Sequence, residues 1–219
     1  MRDFASVFTP GLAPDFANAA AAIIETGERL DARGLAPASA GNYSQRLSDG
    51  SIAITVSGAH KGRLTHKQVM RVDAQGAALD NRKPSAETLL HALVYRHDPK
   101  ASAVLHTHSI AGTVLSRALA GHDAIAFAGY ELQKAFPGTP THEGSVSLPL
   151  VDNSQDMPAL AEQLKPLLGS VPAFYIRGHG LYAWGATMDQ AEVVAEACEF
   201  LLACAWEEWK AGIRHGAHP

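Results

Sequence analysis

Ala101-Ser102-Ala103-Val104-Leu105-His106-Thr107-His108 is the stretch on which the reading of the chain turns. Small and apolar residues lead into two histidines two positions apart. In a strand, residues i and i+2 point to one face, so both imidazoles converge and can share one metal ion. A third imidazole lies in Arg177-Gly178-His179-Gly180, directly after the apolar run Ala173-Phe174-Tyr175-Ile176. Three neutral histidines with an open fourth position suit a catalytic divalent cation better than a closed structural site. Chance alone yields His-X-His in a chain holding 11 histidines, so the tripeptide gains its weight from the glycines around His179 and from the motifs below.

Outward from this strand, helices are predicted over residues 85–97 and 109–119. Leu89, Leu90, Leu93 and Val94 form the apolar stripe of the first. An opening helix spans 15–33, with Asp15 as N-cap and Gly34 as stop. A Gly/Ser loop covers 38–44, and strands are expected at 52–56, 124–127, 146–151, 173–176 and 181–184. The last long helix opens at Thr187-Met188-Asp189-Gln190, which has capping-box spacing. Its stripe of Val193, Val194, Ala197, Cys198, Leu201, Leu202 and Ala205 is expected to face the core. With no repeat and no linker, one α/β domain is expected over residues 1–219, its core at about 15–210.

A chain of 219 residues with 47% hydrophobic and 18% charged residues supports one sizeable core and is not disordered in composition. The net charge of −4, with no dense Lys/Arg tract, argues against nucleic acid and anionic membrane as partners. No apolar stretch approaches the roughly 20 residues needed to cross a bilayer. Met1-Arg2-Asp3-Phe4 lacks the apolar core of a signal peptide. Cys198 and Cys204, six apart on one helix, fall on different faces and are expected to be reduced thiols. These features predict a soluble cytoplasmic protein.

Glycine-rich turns after strands bind anions when backbone amides converge there. Gly41-Asn42, Ser57-Gly58 with Lys61 following, and Pro84-Ser85 are three such turns. Beside a metal site they suggest a phosphorylated substrate, with Lys61 supplying a point charge. Glu87 and Glu131 are candidate acid/base groups. The plainer readings are a helix-dipole partner for Glu87 and a solvated turn for Glu131. Lys134 lies three residues beyond Glu131. His142 is read as a surface residue, and His60, His66, His91, His97, His122, His215 and His218 as structural or exposed.

In order and spacing, Gly41-Asn42, Ser57-Gly58, Pro84-Ser85-Ala86-Glu87, His106-Thr107-His108 and Arg177-Gly178-His179-Gly180 resemble the class II aldolase/adducin family. The resemblance implies a three-layer α/β/α sandwich around a mixed, largely antiparallel sheet. It implies one zinc ion per subunit on His106, His108 and His179, with a sugar phosphate in the glycine-rich turns. It also implies a homotetramer with sites near subunit boundaries. Ser85-Ala86-Glu87-Thr88-Leu89-Leu90-His91, Gly129-Tyr130-Glu131-Leu132-Gln133-Lys134-Ala135 and Asn153-Ser154-Gln155-Asp156 are most similar to a methionine-salvage branch. That branch dehydrates a methylthio-substituted ketose 1-phosphate to a diketone. There Glu131 is the implied acid/base residue and Glu87 lies at the substrate, with Asn42, Ser57, Gly58, Lys61, Ser85 and Lys134 as further contacts. Two alternatives remain. An aldolase or 4-epimerase would make Glu87 the key carboxylate, although Ala86 replaces a serine those aldolases tend to carry. A non-catalytic adducin-like interaction module would lack the metal site, against the presence of all three histidines. Phe127, Tyr130, Phe136 and Trp184 are candidates for a methylthio pocket, though such aromatic residues are more often core.

Overall fold

A computed structural model describes residues 14–169 and 171–213. Eight strands form one sheet: β1 (Asn42–Arg46), β2 (Ile52–Thr55), β3 (Val69–Val72), β4 (Ala103–Thr107), β5 (Ala124–Ala128), β6 (Ser145–Val151), β7 (Ala173–Ile176) and β8 (Gly180–Gly185). Their order is β3-β2-β1-β4-β8-β7-β6-β5, and only the β6–β7 pair is parallel. Five α-helices accompany them: α1 (Pro14–Ala32), α2 (Thr88–His97), α3 (Ile110–Ala118), α4 (Met157–Leu164) and α5 (Met188–Lys210).

The layers follow from the period-2 alternation of strand side chains. Ala103 and Leu105 of β4, with Leu181 and Ala183 of β8, join one core with residues of α1, α3 and α5. Val104, Tyr182 and Trp184 join the other, against α2 and α4. Central strands covered on both faces need apolar residues at successive positions, hence unbroken runs such as that before His106. Each fully buried Leu, Ile or Val contributes about 1.5–3 kcal/mol of transfer free energy. The result is the expected three-layer α/β/α sandwich with a mostly antiparallel sheet. The described residues include no helix long and apolar enough to cross a membrane.

Several elements differ from the sequence expectation. β1 starts inside the stretch read as a Gly/Ser loop, because its polar side chains are buried and partnered rather than solvated. The α2 helix begins at Thr88, leaving Pro84 to Glu87 as a turn. β3 and α4 carry too little periodicity to stand out. α4 is started by Asp156, whose Oδ1 accepts from the amide of Ala159 at 3.0 Å, with a proline in its first turn. On α5, Val193 is exposed and Ala205 half-buried, whereas Glu192 and Glu199 are buried. The inward face is rotated because both acids are partnered. Glu192 takes two bonds from Arg29, at 2.7 and 2.6 Å, and Glu199 one from Thr107 at 2.6 Å. Cys198 is buried and Cys204 half-buried, and both are free thiols. Phe127 and Phe136 sit in the α1/α3/α5 core and Trp184 in the other, so three of the four candidate pocket aromatics are core residues.

Candidate metal centre and active site

The antiparallel registers Asn42↔His106 and His106↔Tyr182 set these three residues side by side across β1, β4 and β8. The Tyr182 ring stacks on His106 with centroids 4.1 Å apart, and Phe174 stacks behind Tyr182 at 4.8 Å. Nδ1 of His106 donates to the carbonyl of Leu181 at 2.9 Å, which leaves Nε2 as a bare lone pair. Room for this ring exists because residue 180 is glycine. A Cβ there would lie 2.3 Å from the Thr107 carbonyl oxygen and 2.7 Å from Cε1 of His106.

His108 follows β4 directly, and His179 rides the tight β7–β8 hairpin. Arg177 anchors that hairpin. Its guanidinium bonds Asp152 at 2.6 Å and the carbonyls of Ser116, Leu119 and His122 at 2.8, 2.7 and 2.7 Å. Three of these acceptors belong to the end of α3 and the turn beyond it, where a cation complements the helix dipole. One ring nitrogen from each of His106, His108 and His179 lies within 4.8 Å of the other two. The Nε2 atoms of His106 and His108 are 3.0 Å apart. At that distance two lone pairs must share a proton or a cation. Burial pushes His106 well below its ordinary pKa and His108 down to about 4, so both are neutral, as ligands must be. Three imidazoles fit a borderline divalent cation such as zinc, manganese or iron.

Glu87 closes the site. Its Oε1 lies 3.0 Å from Nε2 of His179 and 3.7 Å from Nε2 of His106, and its Oε2 accepts from Nδ2 of Asn42 at 2.6 Å. Burial alone would raise its pKa. The hydrogen bonds from His179 and Asn42 oppose that and hold it below the usual carboxylate range. Beside this group opens a cavity of about 190 Å³ bounded by residues 39–42, residues 56–58, Ser85, Glu87, His108 and His179. The first loop passes so close to the metal strand that a Cβ on Gly41 would be 2.4 Å from the His106 carbonyl oxygen. Gly41 also has a φ of +80°.

The structure thus gathers His106, His108, His179, Glu87, Asn42, Ser57, Gly58 and Ser85. Lys61 behaves differently from an exposed phosphate-binding charge. Only 1% of it is exposed, and its Nζ donates to the carbonyls of Ser39 at 2.7 Å and Ala59 at 2.5 Å, pinning two cavity loops together from behind. Burial lowers its pKa to about 8. The amide of Asn42 is likewise committed inward. Glu131 does not border the cavity. It opens a 3₁₀ turn, Glu131–Ala135, after the edge strand β5, and its side chain is 71% exposed. It pairs with Lys134 and, at 3.6 Å, with Nδ1 of His142, whose side chain is exposed. The hydrogen bond from Lys134 lowers its pKa. The turn itself is held by buried Gln133, which accepts from the Tyr130 amide at 2.8 Å and donates to the Gly144 carbonyl at 3.0 Å.

Sequence reasoning passed over Ser39 and Ala40, which line the cavity, and His91, which is fully buried behind it. A signal for His91 was present. Glu87, His91 and Tyr95 are spaced i, i+4, i+8, and Asn42 and Ser44 are spaced i, i+2 on a strand.

A family model described as Class II Aldolase and Adducin N-terminal domain matches residues 21–206. The chain is 52% identical to a methylthioribulose-1-phosphate dehydratase of Gluconacetobacter diazotrophicus over 197 residues, covering 89% of this chain and 96% of that one. It is 52% identical to the enzyme of the same name from Hahella chejuensis over 190 residues, 84% of this chain and 91% of that one. The crystal structure of L-fuculose-1-phosphate aldolase from Thermus thermophilus superposes with a TM-score of 0.73 at 26% identity, covering 93% of this chain and 98% of that one.

Proposed function

Because the chain belongs to the class II aldolase and adducin family, we propose that it dehydrates 5-methylthioribulose 1-phosphate to 2,3-diketo-5-methylthiopentyl 1-phosphate, a hydro-lyase step of methionine salvage. The observation that carries this reading is a cluster of three histidine nitrogens within 4.8 Å of one another, beside a cavity that Glu87, His108 and His179 line. That site lies in a chain half identical, over most of its length, to dehydratases of that name. The protein is proposed to work in the cytoplasm as a single-domain subunit of a homotetramer, with one zinc ion per subunit on His106, His108 and His179.

Bound there, a divalent cation supplies Lewis acidity that makes the hydrogen beside the substrate ketone labile. The substrate phosphate sits in the turns of Gly41, Ser57, Gly58 and Ser85, where backbone amides and hydroxyls donate. Lys61 adds positive potential from behind those loops. Glu87, tied through Oε2, turns Oε1 toward a substrate hydroxyl. Glu131 removes the C3 hydrogen and returns a proton to the departing C4 hydroxyl, which leaves as water; the resulting enol becomes the C3 ketone. Because Glu131 lies outside the cavity of its own chain, it serves the cavity of a neighbouring subunit, with Lys134 holding its carboxylate.

One observation favours a second reading. Glu87 is the carboxylate inside the cavity, as an aldolase or 4-epimerase requires. Turnover of 5-methylthioribulose 1-phosphate by zinc-loaded protein decides between them. Chelator-sensitive formation of diketone, followed by absorbance, is the expected result. Release of glycolaldehyde phosphate or dihydroxyacetone phosphate from other ketose phosphates, with no diketone, overturns the dehydratase reading.

A further inference from the structure

Behind Glu87 the core contains an unbroken line of polar side chains. Oε2 of Glu87 meets Nδ2 of Asn42 at 2.6 Å, and Oδ1 of Asn42 meets Nε2 of His91 in a short hydrogen bond. Nδ1 of His91 meets Oγ of Ser44 at 2.7 Å, and that oxygen meets the Tyr95 hydroxyl at 2.8 Å. Ser44 and His91 are 0% exposed, Asn42 3% and Tyr95 6%. The neighbours on α2 and β2 are apolar: Leu90, Leu93 and Val94 with Ile52 and Ile54. Buried polar groups are costly in such surroundings unless all are satisfied, and an aliphatic contact would hold α2 on β1 just as well.

Chemistry fixes the direction of every bond in the line. A carboxylate only accepts, so Asn42 presents its NH₂ to Glu87 and its carbonyl to His91. His91 therefore carries its proton on Nε2, and its bare Nδ1 accepts from Ser44. The Ser44 hydroxyl, its proton spent, accepts from Tyr95. All four bonds point toward Glu87. Rotating the Asn42 amide by half a turn would set its carbonyl against the carboxylate and its NH₂ against the donor of His91, so both contacts resist the flip together.

We propose that His91 is a positioning residue for Glu87: as the Nε2–H tautomer it locks the Asn42 amide, which ties Oε2 of Glu87 and leaves Oε1 facing the metal centre and the substrate. This role rests on the reading of Glu87 as a substrate-facing carboxylate. The energetic logic is pre-organisation, since a carboxylate held in one orientation needs no reorganisation when substrate arrives.

The first test is independent of any substrate. Histidine ¹⁵N–¹H correlation spectra of the metal-loaded protein should show His91, assigned by its loss in His91→Gln, as a neutral Nε2–H ring. An Nδ1–H ring overturns the proposal. The second test is kinetic. His91→Phe should lower kcat by about 100-fold with KM within about twofold and metal content unchanged, as for supporting residues elsewhere. His91→Gln, whose amide nitrogen reaches the place of Nε2, should return to within about fivefold of wild type, whereas His91→Asn, too short to reach Asn42, should not. A kcat in His91→Phe equal to wild type, or a Gln variant no better than Asn, sinks the positioning role. Should His91→Phe fail to fold, the wild-type tautomer and the Gln/Asn pair still decide. Absence of diketone from wild-type enzyme would refute the proposed substrate while leaving the tautomer result standing, so the two failures are distinct.

Discussion

Glu87 and Glu131 are two carboxylates of one chain in opposite circumstances. Glu87 is half-buried, with each carboxylate oxygen assigned a partner, Asn42 on β1 and His179 on the β7–β8 turn. Glu131 stands at the rim of the sheet, most of its side chain in solvent, on a turn that is itself firmly braced by Gln133. A rigid mount under an exposed acid suits a group that would reach a neighbouring subunit, whereas a rigid mount under a half-buried acid suits its own cavity. The contrast teaches that burial alone does not rank the two for chemistry.

The largest expected effect strikes both acids. Glu131→Gln and Glu87→Gln should each lower kcat by about 10²–10⁴-fold while retaining metal, as loss of an acid/base or orienting group does. Near-normal turnover of Glu131→Gln would break the comparison by leaving only Glu87 at work. Next comes a mixing experiment. His106→Ala lacks a metal ligand and Glu131→Gln lacks the acid, so each alone should be nearly inactive. Co-assembled in equal amounts as a ring, about a quarter of the sites draw a wild-type centre and a wild-type Glu131 from different subunits, and activity should recover to that extent. No recovery would place Glu131 in its own chain's reaction or in none. Smaller is the effect of Gly41→Ala, which forces a Cβ onto the His106 carbonyl. Thermal denaturation should register about 1–3 kcal/mol of destabilisation together with weaker metal retention. Smallest of all, Lys134→Ala removes an exposed partner and should move Tm by about 1 °C or less, while shifting kcat if Glu131 is the working acid.

Much of this site was legible because its signals are local. His106-Thr107-His108 on an apolar run announces a strand, and the strand announces a shared face. Gly41, Ser57-Gly58 and Ser85 mark turns whose chemistry does not depend on distant packing. What stayed hidden is what depends on the neighbour. β1 is polar in composition and reads as loop, because the partners that make Asn42 and Ser44 tolerable in a core lie on α2, some fifty positions later. Lys61 reads as a free charge, since nothing near it in sequence reveals the two carbonyls that claim it. Val193 reads as core because Glu192 and Glu199 are discounted as surface acids until Arg29 and Thr107 are found against them.

β8 enters the sheet between β4 and β7 although it is the last strand along the chain. Until it inserts, β3-β2-β1-β4 and β7-β6-β5 are two separate half-sheets, and His179 on the β7–β8 hairpin cannot reach His106 on β4 and His108 just beyond it. A cation held by all three histidines would thus seal the seam between halves, fastened only after that strand has closed it. A chain that stops just short of β8 carries all three histidines but has no strand to bring His179 beside His106 and His108, so a cation captured there would report completed assembly.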